Sequence, residues 1–140
     1  MLPDAADPDV ISRLLSDTDT WAIVGLGDNP GRAAYGVARF LKAQGKRIVP
    51  VHPRGATVHG ERGYRTLDEI PFGVDVVDVF RRSSEAGAVA DQAVAIGAKA
   101  VWFQLGVVDD DAFQRTTAAG LDMVMDRCPV IEWPRFGPRA

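Results

Sequence analysis

The sequence predicts an α/β fold: a Rossmann-like open sheet of about five mostly parallel strands, with helices on both faces in a three-layer sandwich. Three observations predict it. Short apolar runs alternate with amphipathic segments of about 10 to 13 residues. The linkers between them are short, which implies parallel strands joined by right-handed crossovers. The first apolar run also stops at a glycine-rich turn that opens the first long helix.

The elements follow in order. Residues 7–15 read as a short helix, with Asp7 as cap, Pro8 at the first helical position, and Val10, Ile11, Leu14 and Leu15 on one apolar face. Trp21 to Gly25 is a buried strand. A helix from about Ala33 to Gln44 turns Val37, Phe40 and Leu41 inward and closes at Gly45. Arg47 to Val51 is the second strand, and Pro50 places it at an edge or a strand end. Thr57 to His59 reads as a short strand and Leu67 to Ile70 as one helical turn. Val74 to Phe80 is a strand. Ser84 to Ile96 is a helix, with Ala86, Val89, Ala90, Ala93 and Val94 on one face. Ala100 to Leu105 is a strand, Asp109 caps a helix through Ala119, and Leu121 to Met125 is the last strand. The tail from Pro129 onward contains three prolines and reads as irregular.

A length of 140 residues predicts one domain, 1–140. The hydrophobic fraction of 46% is ordinary for a folded domain. A net charge of −3 makes nucleic acid an unexpected partner. The basic residues are thirteen arginines against three lysines, and arginine presents a planar fork that matches phosphate. Cys128 is the single cysteine, which suits a reducing cytoplasm. The first ten residues have neither the basic start nor the apolar run of a secretory leader. No apolar run reaches the ~20 residues of a membrane span, so no membrane role is expected.

In open α/β sheets, ligands lie beyond the carboxyl ends of the strands. The first such loop carries Gly25, Leu26, Gly27, Pro30, Gly31 and Arg32. Glycines allow a pyrophosphate to approach the backbone, and the helix behind offers free N–H groups and a positive dipole end. The loop departs from the dinucleotide fingerprint, because Pro30 stands where the third glycine belongs. The second strand ends in Val51, His52 and Pro53, without the acidic residue that holds an NAD ribose. Arg54 beside it reads either as a contact to a ribose phosphate or as a surface arginine. Phe80, Arg81 and Arg82 read as a phosphate clamp, unless Ser83 or Ser84 merely caps the next helix. Gln104 and Gly106 end the fourth strand, where an amide-bearing ligand arm can approach. Cys128 reads either as a thiol at the site or as a small buried filler. No metal-ligand spacing or Ser–His–Asp order is visible.

Several stretches resemble the small bacterial CoA-binding proteins, stand-alone relatives of the nucleotide-binding domain of the succinyl-CoA synthetase alpha subunit. They are Ala22 to Leu26 with Pro30 and Arg32, Arg47 to Pro53, Val74 to Arg81, Ile96 to Gly106, and Val124 to Cys128. The resemblance implies coenzyme A lying across the strand ends. Gly25, Gly27, Pro30 and Arg32 would then cradle the pyrophosphate. Val51, His52, Pro53 and Arg54 would border the adenosine. Phe80 and Arg81 would meet the phosphates or the adenine, and Gln104 and Gly106 the pantetheine. This chain has His52 where the family usually has asparagine, and it lacks the family's small hydroxyl residue near Gly27. The synthetases also use a phosphohistidine in a second domain, for which 140 residues leave no room. The expectation is therefore a non-catalytic protein for CoA or acyl-CoA: a carrier, a sensor or a regulatory module. An NAD(P)-dependent enzyme domain and a partner-binding domain with a vestigial pocket are the alternatives. Trp133 and Phe136 in the tail suggest a homodimer contact.

Overall fold

In the computed structural model, residues 4–138 are described; residues 1–3, 139 and 140 of the expected domain lie outside them. The chain runs α1 (Pro8–Asp17), β1 (Thr20–Val24), α2 (Ala33–Ala43) and β2 (Arg47–Val51), then a 3-10 turn at Leu67–Glu69. It continues through β3 (Val76–Val79), α3 (Ser83–Ala95), β4 (Ala100–Phe103), α4 (Asp110–Ala118), β5 (Asp122–Val124) and α5 (Pro129–Phe136). The five strands are all parallel, in the order β2-β1-β3-β4-β5. The chain winds outward from β1 to β2, then crosses back to β3. The switch point therefore lies between β1 and β3, where a doubly wound sheet leaves a crevice.

Both faces of the sheet are covered, so its strands are apolar on both sides. On one face, α3 and α4 pack over Val77, Val79, Val101 and Phe103. On the other, α1, α2 and α5 pack over Trp21, Ile23, Val76 and Trp102. β2 is an edge strand, which accommodates Pro50; its carbonyl accepts the Tyr64 N–H at 2.9 Å.

Two expected elements differ. Thr57 to His59 forms no strand; Val58 makes only an isolated bridge to Glu61. The backbone at His59 is left-handed, φ +53°, which breaks extended pairing. The tail is helical instead of irregular. Pro129 sits in its first turn, where a missing N–H costs nothing. Pro134 removes one internal hydrogen bond. Burial offsets that loss: Val130, Trp133 and Phe136 pack on the second core face, and Trp133 meets Phe40 edge-on at 5.6 Å. Trp133 and Phe136 are thus partly buried against their own chain.

Candidate functional site

β1 ends at Gly25, whose φ of +102° strains any residue with a side chain. A Cβ there would also stand 2.8 Å from the Phe80 carbonyl oxygen. Gly25 N–H donates to the Val51 carbonyl at 2.8 Å, joining the ends of β1 and β2. Leu26 is fully buried and anchors the loop from beneath. The Asn29 side chain accepts the Gly31 N–H at 2.9 Å, a turn that delivers the chain to Arg32 at the start of α2.

Helix capping separates the helix starts. Asp7 caps α1 and Asp109 caps α4, each through its carboxylate. α2 and α3 begin with Arg32 and Arg82, and neither makes a side-chain capping bond. Ser83 does not cap α3 either. Its hydroxyl donates to the Gly106 carbonyl at 3.2 Å and accepts the Val108 N–H at 3.0 Å, holding the loop after β4. The first turns of α2 and α3 thus keep free N–H groups and positive dipole ends. Residues from both line one space.

That space is a cavity of about 600 Å³ beyond the ends of β1, β2 and β3. Its walls are Gly25, Gly27, Asp28, Asn29, Arg32, Ala33, Ala34, His52, Arg54, Phe80, Arg81, Arg82 and Glu85. The volume lies within the roughly 300–1,000 Å³ of ordinary small-molecule sites. Four arginines face two carboxylates, so the walls carry an excess of positive charge. Glu85 lies 3.7 Å from Arg81 Nε and 3.8 Å from Arg82 Nε. Such exposed pairs are weak and yield readily to an anionic ligand. A smaller cleft of about 140 Å³ shares Gly25, His52 and Arg81 with the first and adds Arg65, Thr66, Leu67, Val89 and Gln92.

Of the residues singled out in the sequence, Gly25, Gly27, Arg32, His52, Arg54, Phe80 and Arg81 converge on the larger cavity. Val51 and Pro53 line the smaller cleft. Leu26, Pro30, Gln104, Gly106 and Cys128 line neither. Pro30 projects from the exposed turn. Gln104 is buried against Asp78, and the Gly106 N–H is held by Asp126 Oδ1 at 2.7 Å. Cys128 is buried in the second core face as a small apolar filler.

A Cβ on residue 27 would lie 3.2 Å from His52 Cδ2, so glycine at 27 makes room for the imidazole. His52 Nδ1 accepts the Arg54 N–H at 3.2 Å, which leaves Nε2 as the donor of the neutral ring.

Asp78 carries no signal as a site residue in the sequence reading. It is fully buried at the centre of β3, and Gln104 Nε2 donates to its Oδ1 at 2.6 Å. Its Oδ2 has no partner. Burial pushes its carboxyl up to about 8, against the smaller opposing effect of the Gln104 bond. Its sequence signal is an acidic residue inside an otherwise apolar strand that is buried on both faces. Asp75, just before the strand, accepts the N–H groups of Asp19 and Thr20.

Fold and cavity together define a doubly wound α/β domain with a cationic crevice at its topological switch point. The sequence profile of the CoA-binding domain family matches residues 19–134, and the chain belongs to that family. A Bacillus subtilis relative of uncharacterised function, YneT, is 33% identical over 118 residues, covering 84% of this chain and 87% of its own. A hypothetical protein from Pyrococcus horikoshii superposes with a TM-score of 0.88 at 31% identity, over 97% of this chain and 96% of that one. A dinucleotide-forming acetyl-coenzyme A synthetase from Candidatus Korarchaeum cryptofilum shares the fold at a TM-score of 0.67 and 20% identity. That match covers 79% of this chain and 26% of the synthetase.

Proposed function

We propose that this protein binds coenzyme A or an acyl-CoA without transforming it, as a carrier, sensor or regulatory module. The observation that carries this reading is the convergence of two uncapped helix starts with Arg32, Arg54, Arg81 and Arg82 around one cavity. Free N–H groups and guanidinium forks suit a diphosphate and a ribose phosphate. Membership of the CoA-binding domain family supports CoA as the nucleotide. NAD is disfavoured because His52 stands where a carboxylate would take both ribose hydroxyls.

Thermal unfolding with added ligand tests the reading. At about 100 times its dissociation constant, CoA should stabilise the fold by about 2.7 kcal/mol, and NAD at the same concentration by far less. Arg32→Ala and Arg81→Ala should each weaken CoA binding in calorimetry while leaving the unliganded melting temperature in place. Equal shifts with both ligands, or none, would reject CoA as the ligand.

A further inference from the structure

We infer that the ligand is an acyl-CoA with an aliphatic acyl chain, and that the chain lies on an apolar rim formed by Leu105, Val108 and Ile131. The inference rests on the CoA reading above and names the ligand class within it. Leu105 is 56% exposed, Val108 43% and Ile131 61%, and among the described residues these are the large apolar side chains that stand exposed. Single exposed aliphatics are ordinary on any surface. These three instead gather at one end of the sheet. Leu105 and Val108 follow β4, and Ile131 lies in the first turn of α5, which follows β5. Hydrogen bonds tie the two segments together: the Gly106 N–H donates to Asp126 Oδ1 at 2.7 Å, and the Arg127 N–H to the Phe103 carbonyl at 3.3 Å.

The rim adjoins the cavity. The β3–β4 register pairs Val79 with Phe103, and the Gln104 N–H continues the ladder to the Val79 carbonyl. Carried two residues on, that register sets Leu105 beside Arg81 of the cavity wall, one strand spacing, about 4.8 Å, away. The Ser83 hydroxyl, one residue after Arg82 of the same wall, bonds to both Gly106 and Val108. An arm that leaves phosphates at Arg81 and Arg82 therefore crosses the end of β4 and delivers its far end to the rim. The chemistry there suits hydrocarbon. The N–H groups of Gly106, Val107 and Val108 are taken up within the chain by Asp126, Gln104 and Ser83. The loop thus offers apolar side chains over spent donors, the reverse of the free N–H groups at the starts of α2 and α3. A second copy of the chain is a poorer occupant, because three exposed aliphatics fall far short of the roughly 20–30 residues a side of a stable interface.

Calorimetry with free CoA and with butyryl-, hexanoyl- and octanoyl-CoA tests the rim. A chain covered on one side should gain about twofold in affinity per added methylene, so octanoyl-CoA should bind on the order of tenfold more tightly than butyryl-CoA. Leu105→Ser combined with Ile131→Ser, both at exposed positions, should level the series, so that each acyl-CoA binds as free CoA does. A flat series in the native protein, with free CoA bound, would overturn the rim and leave the CoA reading intact. A slope that survives the double substitution would overturn it too, since the chain would then lie elsewhere. Sedimentation of both proteins checks the other occupant. A dimer that the substitutions split into monomers, with the acyl series unchanged, would overturn the rim as a ligand site and make it an interface between copies. Failure of free CoA and of every acyl-CoA to bind would overturn the CoA reading and this inference with it.

Discussion

Asp78 shows how one buried side chain sets a pH dependence for the whole chain. Its carboxyl titrates at about 8 in the folded protein and near 3.8 when exposed. The folded state therefore holds a proton that the unfolded state has released. The stability that a neutral Asp78 contributes is fully present below about pH 4 and is lost as pH rises toward 8. The slope for one such group reaches at most ~1.4 kcal/mol per pH unit. Asp78→Asn keeps a polar group of the same shape but cannot ionise. In urea unfolding between pH 5 and 8.5, the native protein should lose stability relative to this variant as pH rises. Parallel curves would show that Asp78 is not held neutral.

At the scale of elements, the starts of α2 and α3 open on the cavity, whereas those of α1 and α4 are closed by aspartate. The two that open on the cavity begin with arginine. α5 makes a different point, because its prolines oppose the helix that its packing creates. Trp133 is half-buried against Phe40, and Lys46 Nζ lies 5.9 Å from its ring. Trp133→Ala should cost about 2 kcal/mol in chemical denaturation, below the ~3–5 kcal/mol of a fully buried aromatic. A loss under about 0.5 kcal/mol, the size of an ordinary surface change, would mean that α5 is not held by this contact.

Across the whole molecule, charge is distributed against its sum. The chain carries a net −3, yet four arginines gather at one crevice. A polyanionic ligand is thus attracted locally by a protein that repels it globally, and salt screens both effects. CoA affinity should fall several-fold as sodium chloride rises from about 0.05 to 0.5 M, where the screening length drops from well over 10 Å to a few ångströms. Arg54→Ala should flatten that dependence. Salt-independent affinity would indicate that the arginines do not pair with the ligand's charge.

Local pattern determined the order and type of nearly every element, since alternating apolar runs, glycine stops and aspartate caps act over a few residues. It also marked the glycine turn and all four cavity arginines as candidate site residues, because strand-end positions follow from the alternation itself. Only the tertiary structure decided what depends on neighbours distant in sequence. It made a helix of the proline-bearing tail, because the surface that Trp133 covers is built by α1 and α2. It withdrew Gln104 and Cys128 from the cavity and buried Asp78 beside Gln104. It also brought Arg65 and Gln92 to one cleft from segments that no local spacing connects. Periodicity records which face a residue takes, whereas burial and partnership depend on what the rest of the chain places opposite that face.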